Sequence, residues 1–214
     1  VIRRVLVGLL GILTATCREE ESGPLVAFLG DSLTSGWRLP AREAYPTLVG
    51  LRLREKGRPV RVLNAGVSGD TVAQGLRRLD DVLEREPDVL VVALGINDAL
   101  RGMSLDDVEK DLRAIVARSL AAKAQVVLVG MLVPTEGRGP EYAKRFEAIY
   151  PRIASDHRLG FVPFLLAGVA GQPSLCFPDG LHPNAAGQAR LAQNVLPQVE
   201  LALAAVQSGK VTQR

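Results

Sequence analysis

Aromatic residues make up only 4% of this 214-residue chain. That scarcity argues against a stacking platform for single-stranded nucleic acid, which needs successive aromatic faces. Histidine is scarcer, with two in the whole sequence. A dinuclear metal phosphoesterase, which draws on several His and Asp ligands, therefore lacks donors. Two cysteines, Cys17 and Cys176, are too few for a disulfide framework. The apolar stretch Val5 to Leu13 falls far short of the ~20 residues that span a bilayer. No Gly-x-Gly-x-x-Gly follows the first strand-like run, so a dinucleotide-binding turn is missing. Basic clusters are absent too, and the net charge is only +3, which leaves no footprint for nucleic acid.

What is present begins with export chemistry. Arg3 and Arg4 precede Val5 to Leu13, and small and polar residues then lead to Cys17. A basic start, a short apolar core and a small-residue exit predict a signal peptide over 1–16. Cys17 stands where bacterial lipoproteins carry a lipidated cysteine. Thr14 occupies the place where a leucine is usual in that box, so an ordinary cleaved signal is the standing alternative. Residues 17–24 read as a short tether, 25–207 as one folded domain and 208–214 as a tail. The expectation is an exported monomer: periplasmic, secreted, or held to a membrane by a lipid on Cys17.

From Leu25 onward strand-like and helix-like segments alternate. Apolar runs occur at 25–29, 60–63, 89–94, 126–129 and 161–165. Several are apolar at nearly every position, as expected of strands buried on both faces of a parallel sheet. Helical patterns fall at 41–56, 71–85, 104–121, 140–157 and 184–206. Asp70-Thr71 and Ser104 supply helix starts. This alternation predicts an α/β domain, with a five-stranded parallel sheet between two helical layers.

Parallel strands end on one edge, where open α/β folds place their chemistry. The first strand exits into Gly30-Asp31-Ser32-Leu33-Thr34, and the second into a loop containing Ser68-Gly69-Asp70-Thr71. The third exits into Gly95-Ile96-Asn97-Asp98. A late loop carries Asp179-Gly180-Leu181-His182-Pro183-Asn184. Acyl transfer to a serine needs a nucleophile, a base, a group that orients the base, and donors for the oxyanion. Ser32 suits the nucleophile, although Ser or Asp at a strand exit also serves as a plain helix N-cap. His182 suits the base because Asp179, three residues earlier across a glycine, can reach its Nδ1. His157 sits instead at the end of a helical pattern, an ordinary place for histidine. The backbone N–H groups of Ser32 and Gly69 and the side-chain amide of Asn97 would complete an oxyanion hole. Each also has a bland role open to it: a turn glycine for Gly69, an Asx turn for Asn97.

The four segments together resemble the four blocks of the SGNH (GDSL) hydrolases. The flanks Gly36-Trp37-Arg38-Leu39, Leu100-Arg101-Gly102, Ala148-Ile149-Tyr150-Pro151 and His182-Pro183-Asn184 are most similar to the bacterial thioesterase I/lysophospholipase L1/arylesterase subgroup. The resemblance runs from about Leu25 to Leu203. It implies a flavodoxin-like three-layer fold, no metal or other cofactor, and a serine ester hydrolase acting through an acyl-enzyme on Ser32. The implied substrate is a small acyl ester or lysolipid. It also implies a mobile substrate loop over 98–103, which makes Asp98, Leu100 and Met103 candidate substrate contacts. Met103 and the stretch Met131 to Pro134 also suit an acyl groove by their place at strand and loop ends, with ordinary packing as the alternative. Ile96 departs from the subgroup, which usually has glycine there. A carbohydrate O-acetyl esterase or acetyltransferase on the same scaffold, and a surface binding protein without catalysis, are the alternatives.

Overall fold

The computed structural model describes residues 23–135 and 138–209. The expected signal peptide 1–16, Cys17, most of the 17–24 tether and the tail beyond 209 lie outside the described residues. Strands β1 (Leu25–Gly30), β2 (Arg61–Gly66), β3 (Val89–Ala93), β4 (Gln125–Val129) and β5 (Gly160–Val162) form one parallel sheet. Their order is β2-β1-β3-β4-β5, the flavodoxin-like arrangement. The connecting helices are α1 (Ser32–Ser35), α2 (Tyr45–Glu55), α3 (Val72–Arg77), α4 (Leu79–Leu83), α5 (Ile96–Arg101), α6 (Leu105–Ala121), α7 (Pro140–His157) and α8 (Ala185–Gln207). Helices α2 and α8 pack on one face, and α3, α4, α6 and α7 cover the other. Both faces of β1, β3 and β4 are therefore buried along their whole length, which is why their sequences do not alternate.

The order reverses at β1, whose neighbours are β2 and β3. Ligands in such sheets bind at that switch, outside the carboxyl ends of the strands. Ser32 follows β1 directly.

Several element bounds differ from the sequence reading, each for a local reason. The last strand stops at Val162 instead of continuing to Leu165, because Pro163 has no N–H to offer the ladder. The second strand runs on through Asn64 to Gly66, paired with Phe28 to Gly30 of β1. The pattern at 41–56 splits into a 3-10 turn, Ala41–Glu43, and α2. Pro46 near the start of α2 would break a continuous helix but fits its first turn. The pattern at 71–85 breaks at Arg78, whose backbone leaves the helical region. The 3.6-residue pattern also misses α1 and α5, which are too short to show a period. Among the described residues no helix is long and apolar enough to cross a membrane.

Candidate active site

The turn after β1 folds straight back over its own strand end. A Cβ on Gly30 would lie 2.0 Å from Thr34 Oγ1 and 2.9 Å from the Ala93 carbonyl oxygen, so only glycine fits. Asp31, not Ser32, caps the new helix, its Oδ1 accepting the Leu33 N–H at 2.9 Å. That division of labour leaves the Ser32 hydroxyl free for other partners. Thr34 is tied to the Tyr45 hydroxyl at 3.0 Å, and the Trp37 N–H returns to the Ser32 carbonyl at 3.2 Å. The turn is thus rigid and almost wholly buried, with Ser32 only 8% exposed.

His182 reaches the same edge from the loop before α8. Asn184 caps that helix by accepting the Gly187 N–H at 3.1 Å. Asp179 organises the turn: its Oδ1 accepts the N–H groups of Leu181 and His182, both at 2.9 Å. Its Oδ2 lies 2.9 Å from His182 Nδ1, and His182 Nε2 lies 3.0 Å from Ser32 Oγ. A carboxylate only accepts, so Nδ1 carries the proton and Nε2 is left to accept from the serine. The backbone N–H groups of His182 and Leu181 pull the Asp179 carboxyl down to about 2. His157, by contrast, ends α7 just before β5 begins, at the opposite edge of the sheet.

Gly69 adopts φ +84°, a backbone region that side chains disfavour. Its carbonyl accepts from Arg101 Nη2 at 2.9 Å. Among the described residues nothing accepts its N–H. Asn97 sits in the first turn of α5, and its Nδ2 donates to the Asp70 carbonyl at 3.0 Å and to Asp31 Oδ2 at 3.3 Å. The second contact is long, so it is the one an oxyanion can most readily displace. Helix α3 is capped by Thr71, in a capping box with Gln74, and not by Asp70.

Three acidic side chains sit buried behind these donors: Asp31, Asp70 and Asp98. Burial pushes Asp31 up to about 7, with the nearby charges of Asp70 and Asp98 adding to it. Asp98 faces inward, its Oδ2 accepting the Val72 N–H at 3.0 Å, so it fastens α5 to the start of α3 instead of meeting substrate. Burial raises its carboxyl as well. Arg78 had no visible signal in the sequence, being one arginine in a helical pattern. It binds Asp70 Oδ2 at 2.6 Å, the Ala65 carbonyl at 2.7 Å and the Gly30 carbonyl at 2.9 Å. It therefore ties the ends of β1 and β2 to the Gly69 loop.

Ser32, Asn97 and His182 open onto a cavity of about 210 Å³. Its wall is mainly apolar, with Leu100, Leu132, Pro134, Phe164 and Leu166 among the lining residues and Cys176 at one side. Ile96 lines it too, so the residue that departs from the subgroup shapes the pocket. Met103 does not line this cavity; it is partly exposed beyond α5, and its carbonyl accepts from the Tyr142 hydroxyl at 3.0 Å. Among the described residues no group of three or more His, Cys, Asp or Glu is placed to hold a metal ion.

The chain is 34% identical to the esterase TesA of Pseudomonas aeruginosa over 197 residues, covering 92% of this chain and 96% of that protein. It is 36% identical to the thioesterase 1/protease 1/lysophospholipase L1 of Escherichia coli, with 88% and 89% covered. A crystal structure of TesA superposes with a TM-score of 0.79 at 36% identity, covering 83% of this chain and 99% of that one. Residues 28–190 match the GDSL-like lipase/acylhydrolase family. That span holds the serine turn, both donor loops and the histidine loop, and the chain belongs to that family.

Proposed function

We propose that this protein hydrolyses esters of apolar acyl chains through an acyl-enzyme on Ser32. The carrying observation is the unbroken relay from Asp179 through His182 to Ser32, at 2.9 and 3.0 Å, opening into an apolar cavity. Ser32 Oγ attacks the ester carbonyl carbon as His182 Nε2 takes its proton. The carbonyl oxygen becomes an oxyanion, met by the N–H groups of Ser32 and Gly69 and by the Asn97 amide. Collapse expels the alcohol or thiol, which takes the proton held on His182. Water, activated by the same ring, then attacks the acyl carbonyl and restores Ser32. Asp179, kept ionised by two backbone N–H groups, holds the imidazole in one tautomer and stabilises its charged form.

The cavity selects the acyl group. Its wall is mainly apolar, and each methylene of an acyl chain buried against it is worth about 0.8 kcal/mol. An acetyl group leaves most of that apolar wall uncovered, and a sugar would desolvate its hydroxyls against Leu132, Phe164 and Leu166 with no partners. Esters, thioesters and lysolipids with an apolar acyl chain longer than acetyl are the substrates this pocket favours.

The test has two arms. Mass spectrometry after treatment with an organophosphonate is expected to show one adduct on Ser32, and Ser32→Ala is expected to lose p-nitrophenyl ester hydrolysis. A panel from acetate to palmitate is expected to peak beyond acetate. An active, folded protein without an adduct overturns the mechanism, and acetylated sugars turned over best overturn the substrate class.

A further inference from the structure

One aromatic residue touches both halves of the relay, one through its side chain and the other through its backbone. The indole of Trp37 stacks on the His182 ring, centroids 4.2 Å apart and planes 28° from parallel. Its backbone N–H donates to the carbonyl of Ser32 at 3.2 Å. Phe177, in the histidine loop, meets the same indole edge-on at 5.9 Å, and the Phe177 N–H bonds the His182 carbonyl at 2.8 Å. The Arg38 guanidinium carbon lies 4.2 Å from the Trp37 ring centre.

We propose that Trp37 is a positioning residue that registers the His182 ring against Ser32 and stabilises its charged form. The inference rests on the reading that Ser32 and His182 act as a pair. The physical argument has two steps. His182 belongs to a loop that holds itself together largely through its own backbone, and hydrogen bonds at Nδ1 and Nε2 fix the ring's axis but not its roll about that axis. A flat π-surface against one face fixes the roll. Once His182 takes the serine proton, that surface meets a cation, and an indole face attracts a cation more strongly than any other side-chain ring. Trp37 does not line the acyl cavity, so its effect falls on turnover and not on acyl binding.

Trp37 is the only tryptophan in the chain, so tryptophan fluorescence reports on this one indole, and the His182→Gln variant isolates the part due to the stack. The titratable and charged groups around the stack are Asp179 at Nδ1 and the Ser32 hydroxyl at Nε2 of the imidazole, and Arg38 over the indole. In the wild type, acidification is expected to quench the emission as imidazolium forms against the ring. His182→Gln is expected to abolish that titration, with His157 still present as an internal control. An unchanged fluorescence titration in His182→Gln overturns the proposal, and this arm needs no Trp37 variant to fold.

Kinetics supply the second arm. Trp37→Leu is expected to lower kcat on p-nitrophenyl hexanoate roughly 3- to 30-fold, the range a cation–π contact spans, with KM held within about twofold. Trp37→Phe is expected to recover most of the loss. Equal losses in Leu and Phe, or a loss confined to KM, overturn the positioning role. The phosphonate adduct on wild-type Ser32 tests the underlying pair separately, so failure of one is not confused with failure of the other.

Discussion

Two carboxyl groups support the site, one behind each half of the relay, and their surroundings drive them in opposite directions. Asp31 sits in the serine turn, fully buried beside Asp70 and Asp98, and is pushed up to about 7. Asp179 sits in the exposed histidine loop and is pulled down to about 2 by two backbone N–H groups. The serine turn is part of the sheet: Gly30 pairs with Gly66 and Ala93 on either side, and Arg78 clamps the strand ends. The histidine loop borrows little from the sheet. It is held by Asp179, by the Phe177–His182 backbone bond, by the Cys176–Pro183 bridge and by Asn184. Ser32 is thus placed by the fold, and His182 by a loop that folds onto itself. Mutations in the two regions should therefore fail differently.

The largest expected effect lies in the loop. Asp179→Asn keeps the Oδ1 acceptor for Leu181 and His182 but presents an N–H to Nδ1, forcing the wrong tautomer on His182. A loss of about 10⁴ in kcat is expected, as when the acid of a serine–histidine–acid triad is made neutral, with a modest fall in melting temperature, since solvent screens this exposed carboxylate. A large loss of stability instead would mean that Asp179 holds the loop more than it holds the ring.

Asn184→Ala probes the loop's own fabric. The side chain caps α8 and also donates to the carbonyls of Ser174 at 2.9 Å and Cys176 at 3.3 Å. Losing a cap costs about 0.5–2 kcal/mol, and the carbonyls left behind add to that. A drop in thermal midpoint accompanied by a fall in kcat is expected, because Pro183 and His182 hang from this cap. Calorimetry and p-nitrophenyl ester kinetics on one preparation check it. Full activity at a lowered midpoint would separate the cap from the base.

The same contrast explains what was legible from sequence. Ser32, Gly69 and Asn97 lie at strand exits, and a parallel sheet brings all its exits to one edge whatever the loops do. His182 could be paired with Asp179 because that contact spans only three residues. Asp98 and Met103 were misplaced because their orientation depends on α5, a single short helix whose turn decides which side chains face the cavity. The clamp formed by Arg78 is invisible in the sequence, since two of its three partners are backbone carbonyls, which any residue has, and the third, Asp70, is one of many acidic residues. Trp37 was visible only as a flank of the first block. Its contact with His182 joins positions 145 residues apart in sequence, and no local pattern encodes that.

The buried carboxyl is expected to have the smallest effect on turnover and the clearest sign in stability. Asp31 binds its proton more tightly when folded, so between the unfolded value of 3.8 and the folded value of about 7 the native state holds more protons. Stability from this group is therefore full below 3.8 and falls as pH rises through 7, with a slope of up to about 1.4 kcal/mol per pH unit. Asp31→Asn removes that titration while keeping a side-chain oxygen for the Leu33 N–H, since asparagine caps helices as well as aspartate. Its amide N–H then confronts Asn97 Nδ2 at the position of Oδ2, a constant penalty that does not vary with pH. Urea midpoints at pH 5, 6, 7 and 8 should show the variant gaining on the wild type up to about pH 7 and no further. For Asp179→Asn the wild type's advantage should be constant from pH 5 to 8 and close only below about pH 4, because that carboxylate contributes stability above 3.8 and loses it as pH falls through 2. If the Asp31→Asn difference stays flat from pH 5 to 8, the carboxyl behind the serine is already charged there, and the serine turn tolerates a buried negative charge that its surroundings do nothing to neutralise.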